Sequence, residues 1–298
     1  SKECPEEEAA TETTEQAAAE DTGAAADTAE SLTAALADSS AEARANAARA
    51  LGAMGAAAKP AVPELTALLA DEDATVRRQA VQALHAIKPG PDVMIPLFTK
   101  AMQDSDPGVQ LRVLRSLAEA GEAAVPGLIE ALKNDDVAYW ACVVLRDIGP
   151  AAKAAVPALT ERLKAPQEEI RMQAVLALGA MGEAAQPAVP EIAATLSDQH
   201  MAAASTFVLG ELGAIPADAE EVIRANAKSE DSALRTVSLW ALARVHPEDK
   251  EVRREATKEL VTRLKDENPH VRSIAARGLA ALPPAPEIEM SIWEEALK

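Results

Sequence analysis

The stretch at residues 62–87, VPELTALLADEDATVRRQAVQALHAI, has the pattern of one complete pair of amphipathic helices. Its proline suits the first turn of a helix, where a missing N–H costs nothing. The acidic turn from Asp71 to Asp73 comes next, and acids there favour the positive end of the following helix. From Val76 to Ile87 the apolar residues recur at helical spacing. The stretch therefore predicts a helix–turn–helix unit.

This unit recurs along the chain. The hexapeptide Ala-Leu-Gly-Ala-Met-Gly occurs at 50–55 and again at 177–182. A fixed period is typical of stacked repeats, because one repeat cannot bury its apolar face alone. The motif Ala-Val-Pro marks four helix starts, at 61–63, 124–126, 155–157 and 188–190. The second helices of eight units are predicted to end near Gly55, Pro89, Gly121, Gly149, Gly182, Gly213, Pro247 and Pro283.

These motifs resemble the HEAT-repeat family, in particular the short bacterial HEAT repeats that also occur in phycobilin-lyase-like proteins. The resemblance covers about residues 29–298. It rests on the Ala-Val-Pro helix start, an Asp-turn-Val-Arg step and the Leu-Gly-x-x-Gly helix end. It implies an all-α, right-handed α-α superhelix of about eight two-helix repeats with a terminal capping helix.

The resemblance also implies that recurring acid–arginine pairs tie neighbouring repeats together. In each pair the acid lies six residues before the arginine, and the pattern departs at Gln110 and Ala165, where one partner is missing. The pairs are Asp38 with Arg44, Asp71 with Arg77, and Asp266 with Arg272.

Three segments are predicted along the chain. Residues 1–28 are rich in Glu, Ala and Thr without apolar periodicity, which predicts a disordered or transiently helical acidic tail. Such a tail serves either as a spacer or as a contact for a basic partner. Residues 29–284 hold the eight repeats, and residues 285–298 form the first helix of a ninth.

The net charge of −19 bears on the partner. A solenoid that grips nucleic acid needs a surplus of Lys and Arg, so we expect no nucleic-acid partner. No run of apolar residues is long enough to predict a transmembrane segment. The start Ser1-Lys2-Glu3, followed by acids, resembles the segment after the lipidated cysteine of bacterial lipoproteins. Two localisations therefore stay open: cytoplasmic, or exported with a lipid anchor.

The sequence contains no pattern that predicts catalysis, a metal site or a cofactor site. The four histidines are scattered, and the two cysteines, Cys4 and Cys142, form neither a disulfide framework nor a zinc motif. Cys142 falls on a core position of a predicted helix. The resemblance leaves open a phycobilin-lyase-like subunit as the enzymatic alternative, and a structural subunit of a larger complex is a third reading.

Candidate binding residues emerge when the second helices are aligned on the leucine of Leu-Gly-x-x-Gly. The aligned residues are Leu51, Leu84, Leu117, Leu145, Leu178, Leu209, Leu242 and Leu279. The position two residues before this leucine points about 160° away from it, toward solvent. At that position the eight repeats carry Arg49, Gln82, Arg115, Val143, Leu176, Phe207, Trp240 and Arg277.

Four consecutive middle repeats are thus apolar where a solvated face is normally polar. The position six before the leucine adds Leu111, Tyr139 and Met172, and Trp140 lies beside them. Exposed apolar patches mark partner sites, and Trp, Tyr and Arg are frequent hot-spot residues. We therefore predict a protein partner in the concave groove, bound to an apolar stripe with arginines at its ends. The alternative is that superhelical curvature buries part of the stripe between adjacent second helices.

Overall fold

A computed structural model of the chain describes residues 28–282 and, beyond them, residues 286, 290 and 292. This part of the chain is helical and contains no strand, which confirms the all-α prediction. The predicted tail lies outside the described residues except for residue 28. Of the predicted terminal helix at 285–298, the three described positions are helical, and Ile292 is buried.

The described helices alternate between a first and a second helix of each repeat. The first helices are α1 (28–35), α3 (Val62–Ala67), α5 (Pro91–Ala101), α7 (Val125–Ala131), α9 (Val156–Arg162), α11 (Val189–Ala194), α13 (Ala217–Asn226) and α15 (Lys250–Arg263). The second helices are α2 (Ala41–Met54), α4 (Ala74–Ile87), α6 (Pro107–Ala120), α8 (Asp135–Ile148), α10 (Glu168–Ala180), α12 (Ala202–Leu212), α14 (Ser232–Val245) and α16 (Pro269–Ala281). Each second helix ends within two residues of the Gly or Pro that predicts its end.

The chain divides into two compact units after Gly127. Unit 1 extends to Gly127 and contains α1 to α6, unit 2 begins at Leu128 and contains α8 to α16, and α7 spans the boundary. In unit 1, the second helices α2, α4 and α6 pack in succession. In unit 2, α8, α10, α12 and α14 do the same. Each unit therefore has a continuous layer of second helices.

Side-chain caps explain where the second helices α4 and α6 begin. The carboxylate of Asp73 accepts hydrogen bonds from the backbone N–H groups of Thr75 and Val76 at the start of α4. Asp106 accepts from Val109 in the same way at α6. Such a cap stabilises a helix by about 1 kcal/mol, because it satisfies an N–H group that has no partner within the helix. At these two helices, the acidic turn therefore determines where the helix starts.

The two glycines of Leu-Gly-x-x-Gly have different roles. The second one, as at Gly55 with φ of 57°, ends the helix with a positive φ that glycine adopts freely. The first one lies inside the helix. A Cβ added at Gly52 would lie 2.9 Å from the Cα of Ala83 on the neighbouring second helix. The motif therefore both ends a helix and lets adjacent repeats pack closely.

The aligned leucines form the centre of the core. They are buried in the first seven repeats, and Leu279 in the eighth is partly buried. Burial of a leucine side chain stabilises the fold by roughly 1.5–3 kcal/mol relative to an exposed one. The alignment made on sequence alone therefore identifies the core-facing side of the second helices.

An arginine ladder joins successive repeats. Arg44 binds the carboxylate of Asp71, 27 residues further on, through two hydrogen bonds of 2.8 and 2.9 Å. Its Nη1 also donates to the carbonyls of Asp38 and Ser39 in its own repeat. The implied link between repeats is therefore present, but each arginine binds the acid of the next repeat and only backbone carbonyls of its own. Within each unit the same arrangement recurs at Arg77 with Asp104, Arg171 with Asp198, and Arg235 with Glu259.

The ladder has a gap in unit 2 between α8 and α10. Ala138 occupies the position of the arginine and Ala165 that of the acid. Both alanines are buried in one cluster with Ile170, and Tyr139 packs against it. The missing ion pair is thus replaced by apolar packing. At the other departure, in unit 1, Gln110 keeps a hydrogen bond to a carbonyl of its own repeat, at Met102.

Candidate functional site

We call the surface formed by positions two, five and six before the aligned leucine the second-helix face of each unit. In unit 2 this face is largely apolar across α8, α10 and α12. Phe207 on α12 is 42% exposed. Because these side chains contact water, a partner that covered them would remove apolar area from water. The partly exposed apolar side chains on α8 and α10 are Tyr139, Trp140, Val143, Met172 and Leu176.

Trp240 departs from the predicted exposed stripe, because it is only 5% exposed. Its indole lies between two glycines: a Cβ at Gly210 would be 2.7 Å from its ring, and one at Gly278 would be 3.6 Å away. The expectation that Trp240 contacts solvent is therefore wrong. Glycines on the neighbouring second helices leave room for the ring between the helices, as the alternative interpretation predicts for part of the stripe.

Phe207 and Trp240 form a supported aromatic pair. Their rings stack with centroids 5.3 Å apart. Arg244 lies over the indole at 5.4 Å from its centroid, while its guanidinium donates to the carbonyls of Gly210 and Ala281. Stacking and a cation–π contact hold the indole in place. The exposed phenyl ring therefore rests on a rigid base.

A second aromatic pair lies on α8. The rings of Tyr139 and Trp140 meet edge to face, with centroids 4.7 Å apart and planes at 87°. Asp136 precedes them by one helical turn, and Glu169 stands at the equivalent position of α10. Both carboxylates are exposed and form no ion pair within the described part of the chain. Negative charge therefore borders the apolar surface at the N-terminal ends of α8 and α10.

The second-helix face of unit 1 has the opposite character. Arg49 and Arg115 are exposed, as predicted, and Leu111 is 59% exposed. Arg49 donates to Asn46 on its own helix. An open cleft of about 300 Å³ lies between α2 and α4. Six of its eight lining residues have polar or charged side chains, namely Glu42, Asn46, Arg49, Asp73, Thr75 and Gln79.

The last second helix of unit 2 returns to a charged residue at this position. Arg277 on α16 is exposed, in agreement with its predicted place at the end of the stripe. Ile274, three residues earlier, is 46% exposed and adds apolar area beside it.

The one cysteine among the described residues lies in the core. Cys142 is buried, and burial raises the pKa of its thiol to about 12. A thiol with such a pKa is not deprotonated at neutral pH and is not a nucleophile. Among the described residues no three His, Cys, Asp or Glu side chains come together to hold a metal ion. No helix in this part of the chain is long and apolar enough to cross a bilayer.

The family follows from a match to a family model for HEAT repeats, which covers residues 29–97 and 125–210. The chain belongs to the HEAT-repeat family. HEAT repeats generally act as scaffolds for protein–protein interaction. A search of curated proteins finds no match for this HEAT-repeat chain.

Two solved structures similar to this HEAT-repeat chain are engineered proteins. One is 21% identical, with a TM-score of 0.43, and the match covers 90% of this chain and 82% of that one. The other is 20% identical, with a TM-score of 0.33, and the match covers 74% of this chain and 96% of that one.

Two features of this HEAT-repeat surface are missing from the sequence interpretation. The position five before the leucine belongs to the same face, and in unit 2 it adds Ala204 and Val237. The position nine before it carries Asp136 and Glu169. Nine residues at 100° each bring a side chain within about 20° of the position two before the leucine. The same periodicity that locates the stripe therefore also locates its acidic border.

Proposed function

We propose that this HEAT-repeat chain is a non-catalytic scaffold that binds another protein on the second-helix face of unit 2. The proposal rests on the partly exposed apolar side chains of Val143 and Leu176 and on Phe207, which is 42% exposed. A contiguous apolar patch on a soluble protein usually marks an interaction site. Trp240 supports this site from beneath rather than contacting the partner.

The proposed anchors differ in their energetic role. Phe207 is rigid because its ring is stacked on Trp240, so binding would cost little side-chain entropy. Val143, Met172 and Leu176 supply apolar area next to it. Leu111, Arg49 and Arg115 on unit 1 and Arg277 on unit 2 remain predicted partner contacts on their own faces. The buried thiol of Cys142 gives no support to a chromophore-attaching activity.

Site-specific photo-crosslinking tests the proposal. A photoreactive phenylalanine analogue at position 207 is expected to crosslink one defined protein in lysate of the source organism. Val222 on α13 is the matched control, because it is 40% exposed but lies on a first helix. The same analogue at position 222 should not capture that protein. Equal capture at both positions would contradict the proposal.

A substitution pair adds an independent measurement. Phe207→Asn should weaken binding of the captured protein by at least about tenfold, a typical loss for a hot-spot aromatic residue. Val222→Asn should leave binding unchanged. Circular dichroism checks that both variants keep their helical content. Unchanged binding by Phe207→Asn would mean that the protein binds on another face of the molecule.

A further inference from the structure

The apolar surface of unit 2 and its acidic border lie on the same two adjacent helices. On α8, Asp136 is followed after one turn by Tyr139 and Trp140. On α10, Glu169 is followed after one turn by Met172. The helices α8 and α10 pack directly against each other. On both helices, therefore, a carboxylate that forms no ion pair with the described residues lies one turn N-terminal to an apolar side chain.

The carboxylates at the border differ from most other acids near them. Asp135 is paired with Arg162, and the hydrogen bond from that guanidinium holds the pKa of the carboxyl below its usual value. Glu168 lies 3.6 Å from His200. Asp136 and Glu169 stand next to these residues but form no ion pair within the described part of the chain. Their charges are therefore available to a cation on a partner.

The edge-to-face pair of Tyr139 and Trp140, which we call the aromatic corner, adds a second attraction for a cation. Both side chains are partly exposed, and their ring planes stand at 87° to each other, so that their faces point in different directions. A cation near such faces is attracted by the ring quadrupole, and the attraction is strengthened by a carboxylate one turn away. Tyr139 also packs against the buried cluster of Ala138, Ala165 and Ile170 at the ladder gap, so its ring has a fixed support.

We propose that the partner presents a basic amphipathic helix to this surface. Its cationic side chains would lie at the corner of Tyr139 and Trp140 beside Asp136, and at Glu169. Its apolar side would cover Val143, Met172 and Leu176. The chain's net charge of −19 would also steer a basic segment toward it. The inference rests on the proposed function, since it specifies the partner for the same face.

Binding of a synthetic peptide to the full chain tests the inference by fluorescence anisotropy. The probe is a labelled peptide of about 18 residues with leucine at helical i, i+3, i+4 and i+7 spacing and lysine elsewhere. The comparison peptide has glutamate in place of every lysine. We expect the lysine peptide to bind and the glutamate peptide not to bind. Equal binding of both would overturn the basic character of the partner.

Charge variants show whether the lysine peptide binds at this site. Asp136→Asn/Glu169→Gln should weaken binding about threefold to tenfold, the effect of two exposed ion pairs. Asp218→Asn/Glu251→Gln is the matched control. Both of its acids are exposed second residues of helices in unit 2, and it changes the net charge by the same amount. An equal loss of peptide affinity in both variants would indicate that net charge alone attracts the peptide. It would overturn the assignment of the binding site to this surface.

An aromatic variant tests the corner itself. Tyr139→Leu/Trp140→Leu keeps apolar side chains but removes the ring faces, so the lysine peptide should bind several-fold more weakly. Unchanged affinity would overturn the role of the corner. If no peptide binds while photo-crosslinking at position 207 still captures a protein, the inference fails and the proposed function stands. If crosslinking also fails, the proposed function fails as well.

Discussion

The two units build the same helix pair but carry different side chains at the same repeat position. Two residues before the aligned leucine, unit 1 has Arg49, Gln82 and Arg115, all exposed. In unit 2 the same position holds Leu176, which is partly buried, and Trp240, which is buried. The core of the repeat determines the helix pair. The face of the second helix is therefore free to become either a solvated surface or an apolar one.

The ladder differs between the units as well. In unit 1 its pairs are deeply placed, with side-chain exposures of 12% for Arg77 and 10% for Asp104. In unit 2, Arg171 and Asp198 are 20% and 32% exposed, and α8 lacks the arginine altogether. Ion pairs therefore link repeats more strongly in unit 1, while unit 2 depends more on apolar packing between its second helices.

The largest expected effect comes from the position two before the leucine. Trp240→Ala should lower the free energy of unfolding of unit 2 by about 3–5 kcal/mol, because it leaves a cavity beside Gly210. Gln82→Ala, at the equivalent exposed position of unit 1, should change stability by less than about 0.5 kcal/mol. Chemical denaturation combined with hydrogen exchange measures each unit separately. A similar loss of unfolding free energy in both variants would show that the two units do not differ at this position.

Ladder arginines provide the second contrast. Arg77→Ala leaves the carboxylate of Asp104 without its partner and should destabilise unit 1 by about 2 kcal/mol. Arg171→Ala should cost about 1 kcal/mol in unit 2, because Asp198 is more exposed and water replaces the lost partner. The measurement is again unfolding followed by hydrogen exchange. A larger loss for Arg171→Ala would show that burial does not control the strength of the ladder.

Acid sensitivity provides the third contrast. The hydrogen bond from Arg44 lowers the pKa of Asp71, and the bidentate bond from Arg78 lowers the pKa of Asp106 to about 2. The pKa of an aspartate in the unfolded chain is about 3.9. The stability that these ionised carboxylates contribute is therefore present above about pH 4 and is lost as the pH falls toward 2. Asp71→Asn/Asp106→Asn should flatten that part of the pH dependence in unit 1.

Urea unfolding between pH 2 and 5 checks this expectation. The control is unit 2 of the same variant, whose pH dependence should stay as in the wild type. A slope for unit 1 identical to that of the wild type would show that these carboxylates do not link its stability to pH.

The smallest expected effect concerns Leu111, which is 59% exposed on unit 1. Leu111→Gln should change the free energy of unfolding by less than about 0.5 kcal/mol, because little apolar area is buried there. Binding of the captured protein would show whether Leu111 is also a contact. A stability loss above about 1 kcal/mol would mean that Leu111 belongs to the core.

Much of this molecule follows from one periodic pattern. The Leu-Gly-x-x-Gly alignment predicts that Leu51 and Leu178 are buried and that Arg49 is exposed, and all three are so placed. Helical periodicity assigns each side chain to a direction, because each residue turns the helix by about 100°. That is enough to separate a core face from an outer face within a single helix.

Contacts between helices require the tertiary structure. Trp240 points outward from its own helix, yet it is buried because Gly210 and Gly278 on the neighbouring helices leave room for its ring. Arg44 binds the carboxylate of Asp71 in the next repeat, whereas it binds only the backbone carbonyl of Asp38 in its own. A single-helix pattern has no information on the spacing between helices or on which repeat supplies a partner.

The all-α repeat, the ends of its helices and the direction in which each side chain leaves its helix all follow from the order of the residues. Those properties depend on local geometry and on the period of the apolar residues. Packing between repeats sets which outward side chains stay exposed, as Phe207 does, and which are covered, as Trp240 is. Exposure depends on the residues of the neighbouring repeat, which approach only when the helices stack.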